Sequence, residues 1–211
     1  MLRPLEVLKM MNRGLKEIGV ANKDCSMMEF GSIGIDVKGV KEKIAKKYFK
    51  SLGMKHVSID LDGRWGSLKL DLGKPILKFK HEFDIVTDFG TCEHVYNQYE
   101  CFKNMHNFCK PGGVMIHVVP MPNNWVGHCE FHYTDKFFIE LSRFCKYKVL
   151  ELSVINMPGG PPRMKGNRRL ICASMKKTID NNFISPEAFK KLPIVVEKYN
   201  KKNVNNLRPN K

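Results

Sequence analysis

The chain has 211 residues, 43% of them hydrophobic and 27% charged, a globular balance that excludes wholesale disorder and suits one domain with a modest appendage. Its apolar runs are too short for a membrane-spanning helix, and the opening MLRPLEVLKMMNRGLKEIG carries charges every few residues where a secretory leader would be apolar. Seven cysteines (Cys25, Cys92, Cys101, Cys109, Cys129, Cys145 and Cys172), an odd number without a C-x-x-C pair, read as reduced thiols of a cytoplasmic protein. The net charge of +15 is uneven: from Arg163 to Lys211 thirteen Lys or Arg face three acids, against twenty-three and eighteen in residues 1–162. Such a basic C-terminal quarter fits either an anionic partner or a solubilising surface.

In chain order, Leu5, Leu8, Met11, Leu15 and Ile18 share one helical face, and Gly19 stops that helix. SMMEF (26–30) is a short buried strand running into the glycine turn GSIG. A second helix is predicted over 39–51, with Val40, Ile44, Ala45, Tyr48 and Phe49 at helical spacing and Gly53 after it. HVSIDLDG, SLKLDLG and FDIVTDFG are the next three strands. A helical pattern then runs from Glu93 to Cys109 and stops at KPGG. VMIHVVP is continuously apolar, as a central parallel strand should be. An irregular loop (120–133) precedes a helix capped by Thr134 or Asp135, and YKVLELSVI and RLICASM form a closing hairpin.

Strands alternating with helices, then a hairpin, predict a doubly wound, mostly parallel α/β sheet of seven strands with one antiparallel member. Residues 1–24 form an N-terminal helix packed on the domain, 25–177 the domain, and 178–211 a basic extension with a Ser185-Pro186-Glu187 cap.

Ligands of such sheets sit beyond the carboxyl ends of the strands. Glu29-Phe30-Gly31-Ser32-Ile33-Gly34 ends the first strand with an acid and a glycine turn, whose amides could hold an anion at the start of a following helix. Standing alone, such a turn is often only a turn. Asp60 ends the second strand on the face opposite Val57, Ile59 and Leu61, where a carboxylate can accept from both hydroxyls of a ribose; its alternative is a solvated loop acid. Asp71, ending the third strand, could accept from an adenine amino group. No G-x-G-x-x-G is present, which argues against a nicotinamide dinucleotide.

EFGSIG, SIDLDG, LDLGKP, FDIVTDFGTCEHV and CKPGGVMIHVVP, in this order from Cys25 to Met175, resemble the class I S-adenosylmethionine-dependent methyltransferases, in particular the small Rossmann-like group acting on metabolites. The resemblance implies S-adenosylmethionine as cofactor. It places Glu29 and Gly31 at the methionine part, Asp60 at the ribose, and Asp71 and Leu72 at the adenine, with Ser32, Gly34 and Leu61 also among the cofactor-binding residues. Asp88, Phe89 and Gly90 then face the methionyl group, with Glu93 and His94 at the helix start beneath it. The family's turn usually carries three alternating glycines; here Ile33 and Ile35 take the second and third places, and Gly34 would have to compensate by a shifted turn.

Methyl transfer asks the protein chiefly to align the partners and exclude water, with a general base helping an oxygen nucleophile. His128, His132 and Tyr133 in the loop PMPNNWVGHCEFHYTD are the candidate bases, with Trp125 and Phe131 as pocket walls. A structural role for either histidine is equally compatible with the sequence. His128, Cys129 and His132 could meet a metal on one helix face, but no carboxylate or further cysteine nearby completes a ligand set, and no metal is expected. Asn-Pro-Pro-aromatic and Pro-Cys signatures of base-modifying enzymes are absent. The acceptor is therefore expected to be an oxygen, nitrogen or sulfur of a small molecule or sugar. Alternatives are an RNA ribose or cap held by Arg163, Lys165, Arg168 and Arg169, and a catalytically silent subunit, for which the altered glycine turn is the support.

Overall fold

A computed structural model describes residues 5–125, 127–157 and 168–197. Among these described residues, nine strands and five helices run in the order α1 (Leu5–Ile18), β1 (Ser26–Phe30), α2 (Ala45–Ser51), β2 (Lys55–Asp60), β3 (Leu68–Lys69), β4 (Phe83–Asp88), α3 (Gln98–Phe108), β5 (Cys109–Pro120), β6 (Phe131–His132), α4 (Asp135–Cys145), β7 (Tyr147–Met157), β8 (Arg168–Lys177), α5 (Pro186–Phe189) and β9 (Val195–Val196). Seven of the strands form one sheet in the order β3-β2-β1-β4-β5-β8-β7. Neighbours from β3 to β5 are parallel, while β8 lies antiparallel to both β5 and β7. The sheet is thus mostly parallel, with one antiparallel strand from the closing hairpin.

Strand periodicity divides the core. Met28, Phe30, Val86, Met115 and Val119 point to one face, where Phe102, Met105 and Phe108 of α3 and Phe137, Phe138 and Leu141 of α4 cover them. Met27, Ile85, Val114, Ile116 and Val118 point to the other, beneath Val7, Met10 and Met11 of α1 and Phe49 of α2. Burial on both faces is why VMIHVVP reads as an unbroken apolar run. Below the sheet, Asp84 ties three strands: its carboxylate accepts from the Ser26 amide at 2.8 Å and pairs with Lys110 Nζ at 2.7 Å.

Three elements differ from the sequence expectation. The helix predicted over 39–51 starts only at Ala45. Residues 33–44 instead fold back as an extended arm, in which the Ile35 amide donates to the Lys43 carbonyl, the Ala45 amide to Ile33, and Gly34 bridges Ile44. The alternation of Ile33, Ile35 and Val37, all buried, outweighs the helical spacing of Val40 and Ile44, because extended backbone alone turns all three inward. The helix expected from Glu93 starts at Gln98, since the Asn97 side chain accepts from the Glu100 amide and supplies the cap. A 3-10 turn, Cys92–His94, stands where the first helical turn was expected. KPGG, finally, follows the end of α3 at Phe108, as expected, but belongs to the next strand and not to a turn between elements. It lies inside β5, where the register against β4 shifts and Gly112 takes φ +84°, a bulge that glycine permits.

Within the C-terminal extension, residues 178–197 pack on the domain. Phe189 and Leu192 join the α3/α4 core, and β9 pairs with β6. Among the described residues no helix is long and apolar enough to cross a membrane, and all seven cysteines are buried thiols.

One buried side chain sets the lip of the ligand cleft. Asn104 of α3 donates from Nδ2 to the carbonyls of Leu72 and Lys74 and accepts from the Ile76 amide, fixing the chain that follows β3. Asn104→Ala leaves these backbone groups without partners and should cost about 2–3 kcal/mol, read as a lower urea midpoint at unchanged slope.

Candidate functional site

Beyond the carboxyl ends of β1, β2 and β4 lies a cleft of about 500 Å³, within the size range of small-molecule sites. Its floor is the turn after β1. Gly31 takes φ +88°, and a Cβ there would stand 2.2 Å from Thr91 Oγ1, so the position requires glycine twice over, for conformation and for space. The Thr91 hydroxyl itself donates to the Phe30 carbonyl. The Gly31 amide donates to Ile59 O at 2.7 Å and the Ser32 amide to Asp60 Oδ2 at 2.6 Å. These two turn amides therefore bind β2 and not a ligand, and the helix start expected behind the turn is displaced to Ala45. Gly34 lies in the extended arm and does not line the cleft, whereas Ile33 does.

Asp60 lines the cleft with Leu61, Asp71, Leu72, Gly90 and His94, so much of the sequence-derived cofactor set converges. Asp60 accepts one amide on each oxygen, Ser32 on Oδ2 and Asp62 on Oδ1. A carboxylate offers about four lone-pair positions, which leaves one per oxygen for a diol. Asp71 accepts from the Gly73 amide at 2.8 Å and is partly exposed. Leu61 and Tyr96 are exposed on the rim, 66% and 84%.

Other expected cofactor residues lie elsewhere. Glu29 is buried under the sheet end, 3.4 Å from His56 Nε2, where burial raises its pKa against the lowering pull of His56; it does not reach the cleft. Phe89 packs into the α1/α2 core. Asp88 is fully buried: Oδ1 accepts the Thr91 and Cys92 amides at 3.0 Å, and Oδ2 lies 3.0 Å from His117 Nδ1. Asp88 thus shapes the turn that carries Gly90, Thr91 and His94 and does not itself line the cleft.

The wall beside His94 gathers the imidazoles. Glu93 is 2% exposed, and its Oε2 lacks a hydrogen-bond partner among the described residues; burial, with Asp88 nearby, raises its pKa well above the usual carboxylate range. His94 Nε2 lies 3.9 Å from Glu93 Oε1, and the His94 and His128 rings meet edge to face at 4.9 Å. His128 keeps an exposed edge, yet desolvation, with His94 and His132 beside it, lowers its pKa to about 4. It is neutral at pH 7 and a weak proton acceptor.

His132 is buried, with Nε2 3.4 Å from Cys129 Sγ and 3.8 Å from a Glu197 oxygen. Tyr133 is a correction: its ring packs among Phe102, Phe137 and Phe138 and its hydroxyl donates to Gln98, so the phenol has no access to the cleft. Trp125 is buried with Nε1 donating to Arg169 O, and Phe131 packs on the α3/α4 core.

Only half of the expected phosphate strip falls on described residues. Arg163 and Lys165 lie outside the described residues. Arg168 is turned inward at 8% exposure with its guanidinium 5.1 Å from the Trp125 ring centroid, and only Arg169 is exposed, on Asn124. Alternation along β8 puts Arg168 on a buried face. Sequence reasoning missed Thr91, Val95 and Tyr96 in the cleft, although TCEHVY sits directly after a recognised strand end.

Neither a family model nor a curated protein matches the sequence. Among solved structures, the chain is similar to a SAM-dependent methyltransferase from Methanosarcina mazei (14% identity, 81% of this chain and 98% of that one, TM-score 0.56). It is similar also to geranyl diphosphate C-methyltransferase from Streptomyces coelicolor, solved with Mg²⁺, geranyl diphosphate and S-adenosylhomocysteine (10%, 82% and 81%, 0.56). A third is 1,6-didemethyltoxoflavin-N1-methyltransferase from Burkholderia thailandensis, solved with 1,6-didemethyltoxoflavin and S-adenosylhomocysteine (14%, 80% and 77%, 0.52). The chain thus has the class I, Rossmann-like methyltransferase fold.

The contact between Gly31 and Thr91 yields a test of the floor. Gly31→Ala should destabilise by about 2–4 kcal/mol from the clash and the positive φ together. Adding Thr91→Ala removes the hydroxyl and should restore part of this in urea melts; no recovery at all would assign the loss to the backbone alone.

Proposed function

We propose that the chain is an S-adenosylmethionine-dependent methyltransferase with a small-molecule acceptor. The observation that carries this reading is the convergence of Gly31, Ser32, Asp60, Asp71 and Gly90 on one cleft at the carboxyl edge of a sheet with this strand order. The cleft residues fit the cofactor. Asp60 retains acceptor capacity on both oxygens, and Gly31 and Gly90, both at positive φ, let backbone approach where a side chain would intrude.

Bound S-adenosylmethionine supplies a methyl on a sulfonium leaving group, so little covalent work falls to the protein. Asp60 holds the ribose hydroxyls, and Asp71 and the exposed Leu61 and Tyr96 take the adenine. The Gly90–Val95 turn lies against the methionyl end, and His94 and His128 form the wall on the acceptor side. Alignment and exclusion of water are the main contributions asked of these groups.

A small acceptor is favoured over RNA because Arg168 lies against Trp125 and is withdrawn from the surface. Ile33 and Ile35, which raised the silent-subunit alternative, have a packing role of their own in the arm. This removes the reason for reading them as damage to the site.

Calorimetry with S-adenosylmethionine and S-adenosylhomocysteine tests the reading. Charged hydrogen bonds to a diol are worth about 1.5–3 kcal/mol, so Asp60→Ala should weaken binding about 10- to 100-fold. Asp62→Ala should change it little, since that exposed carboxylate serves Arg64. Equal losses in the two variants, or no binding to the native chain, refute the assignment.

A further inference from the structure

The sequence offered two histidines in the 121–133 loop without a carboxylate to complete a ligand set. Folding supplies one from another segment. Oxygen and imidazole nitrogen atoms of Glu93, His94 and His128 all lie within 4.8 Å of one another, and Glu93 Oε2 is buried without a hydrogen-bond partner among the described residues. A buried carboxyl oxygen left unmatched is costly, and a cation held between this carboxyl and the two imidazoles would match it.

We propose that Glu93, His94 and His128 bind a divalent transition-metal ion, Zn²⁺ by the chemistry of the donors, with an open coordination position toward the cleft for an oxygen donor of the acceptor. Two imidazoles and one carboxylate form a donor set of the kind that holds catalytic zinc while leaving room for water or substrate. Zinc–nitrogen and zinc–oxygen bonds of about 2.0–2.2 Å place donors roughly 3.3–3.5 Å apart, so the three groups need to close by about 1–1.5 Å. His94 and His128 are the exposed members of the set, free to make that adjustment, while Glu93 is the fixed one.

His94 also lines the cofactor cleft, which puts the open position between the ion and the methyl donor. The Trp125 ring, 5.0 Å from that of His128, backs the site from the buried side. The acceptor class follows, resting on the methyltransferase reading: a small molecule with a hydroxyl that can ligate the ion. Its O–H proton passes to solvent. The oxygen lone pair then forms the bond to the methyl carbon while the carbon–sulfur pair stays on sulfur, giving a methyl ether and S-adenosylhomocysteine.

Metal binding is measured without reference to catalysis. The full chain, stripped with a chelator, is titrated with Zn²⁺ against a chromogenic competitor, and Co²⁺ is added separately for its absorption spectrum. One ion per chain is expected, with a Co²⁺ spectrum free of thiolate charge transfer. Changes outside the ligand shell alone cost metal sites about 10- to 100-fold, so His128→Ala should weaken binding at least tenfold, and Glu93→Gln likewise. His81→Ala, remote from the cluster and paired with Asp180, should leave it unchanged. Because His128 is exposed, its variant should melt as the native chain does without metal, which separates lost ligation from lost folding.

Absence of saturable Zn²⁺ binding, undiminished affinity in His128→Ala, or a thiolate band that disappears in Cys129→Ser each overturns the proposal. Zn²⁺ binding that fails while S-adenosylhomocysteine still binds counts against the metal alone, and the reverse counts against the methyltransferase reading alone.

Discussion

Asp88 stands at the carboxyl end of β4 with no exposed surface, and the rim of the cleft hangs from its two oxygens. One oxygen gathers the Thr91 and Cys92 amides, and the other meets His117 from the adjacent strand β5. Burial works to raise its pKa, but the hydrogen bonds from His117 and the Cys92 amide prevail and hold the carboxyl below its usual range. The fixed charge thus sets the path of residues 88–94, and with it the place of Gly90, Thr91, Glu93 and His94. Thr91 carries the constraint across to β1 through its bond to Phe30 O, and its hydroxyl fills the space that Gly31 leaves. A single buried acid therefore couples three parallel strands at the end where the cleft opens.

The opposite lip follows another rule. Isoleucines where the family usually has glycines look like a loss of backbone freedom, yet Ile33, Ile35 and Val37 line the inner side of an extended arm that α2 then locks through the Ala45 amide. Hydrophobic burial of three side chains in alternation replaces the usual immediate entry into a helix. The turn's amides are in consequence spent on Ile59 and Asp60, and Asp60 takes on two tasks, holding the turn and facing the cleft. A carboxylate that already accepts two amides is oriented before any ligand arrives, which lowers the ordering cost of binding.

This division explains what the sequence could and could not disclose. Most strands of the sheet were legible because burial on both faces leaves apolar runs such as VMIHVVP, whereas the expected strand SLKLDLG shrinks to Leu68–Lys69, both exposed, and Asp71 lies beyond its end; Asp60, Asp71 and Gly90 nevertheless line one cleft. The helix predicted over 39–51 failed where two periods overlap: Val40 and Ile44 fit a helical face, while Ile33, Ile35 and Val37 just before them fit an extended one. Glu29 and Asp88 looked like ligands because they are acids at strand ends, but side-chain alternation and a buried histidine partner for each, His56 and His117, direct them inward. Tyr133 looked like a base from its place in a loop, and its burial depended on aromatic neighbours from α3 and α4 that no local pattern reveals.

The acceptor side shows why a loop can be a built surface. Residues 120–133 are held at one end by β8, where the Met121 amide and Trp125 Nε1 both donate to Arg169 O, and at the other by β6 paired to β9. Glu197, one residue beyond β9, accepts the Asn123 amide and also faces His132. The C-terminal segment thereby clamps both halves of the loop, while Phe189 and Leu192 anchor that segment in the core. His128 is thus presented to His94 by a frame closed through two antiparallel pairings, and little backbone entropy remains to be lost when a ligand draws the two rings together. Distance along the sequence between Glu93, His128 and Glu197 is therefore no measure of their coupling: the C-terminal strand holds the backbone of the loop that carries His128, while the exposed imidazole stays free to turn.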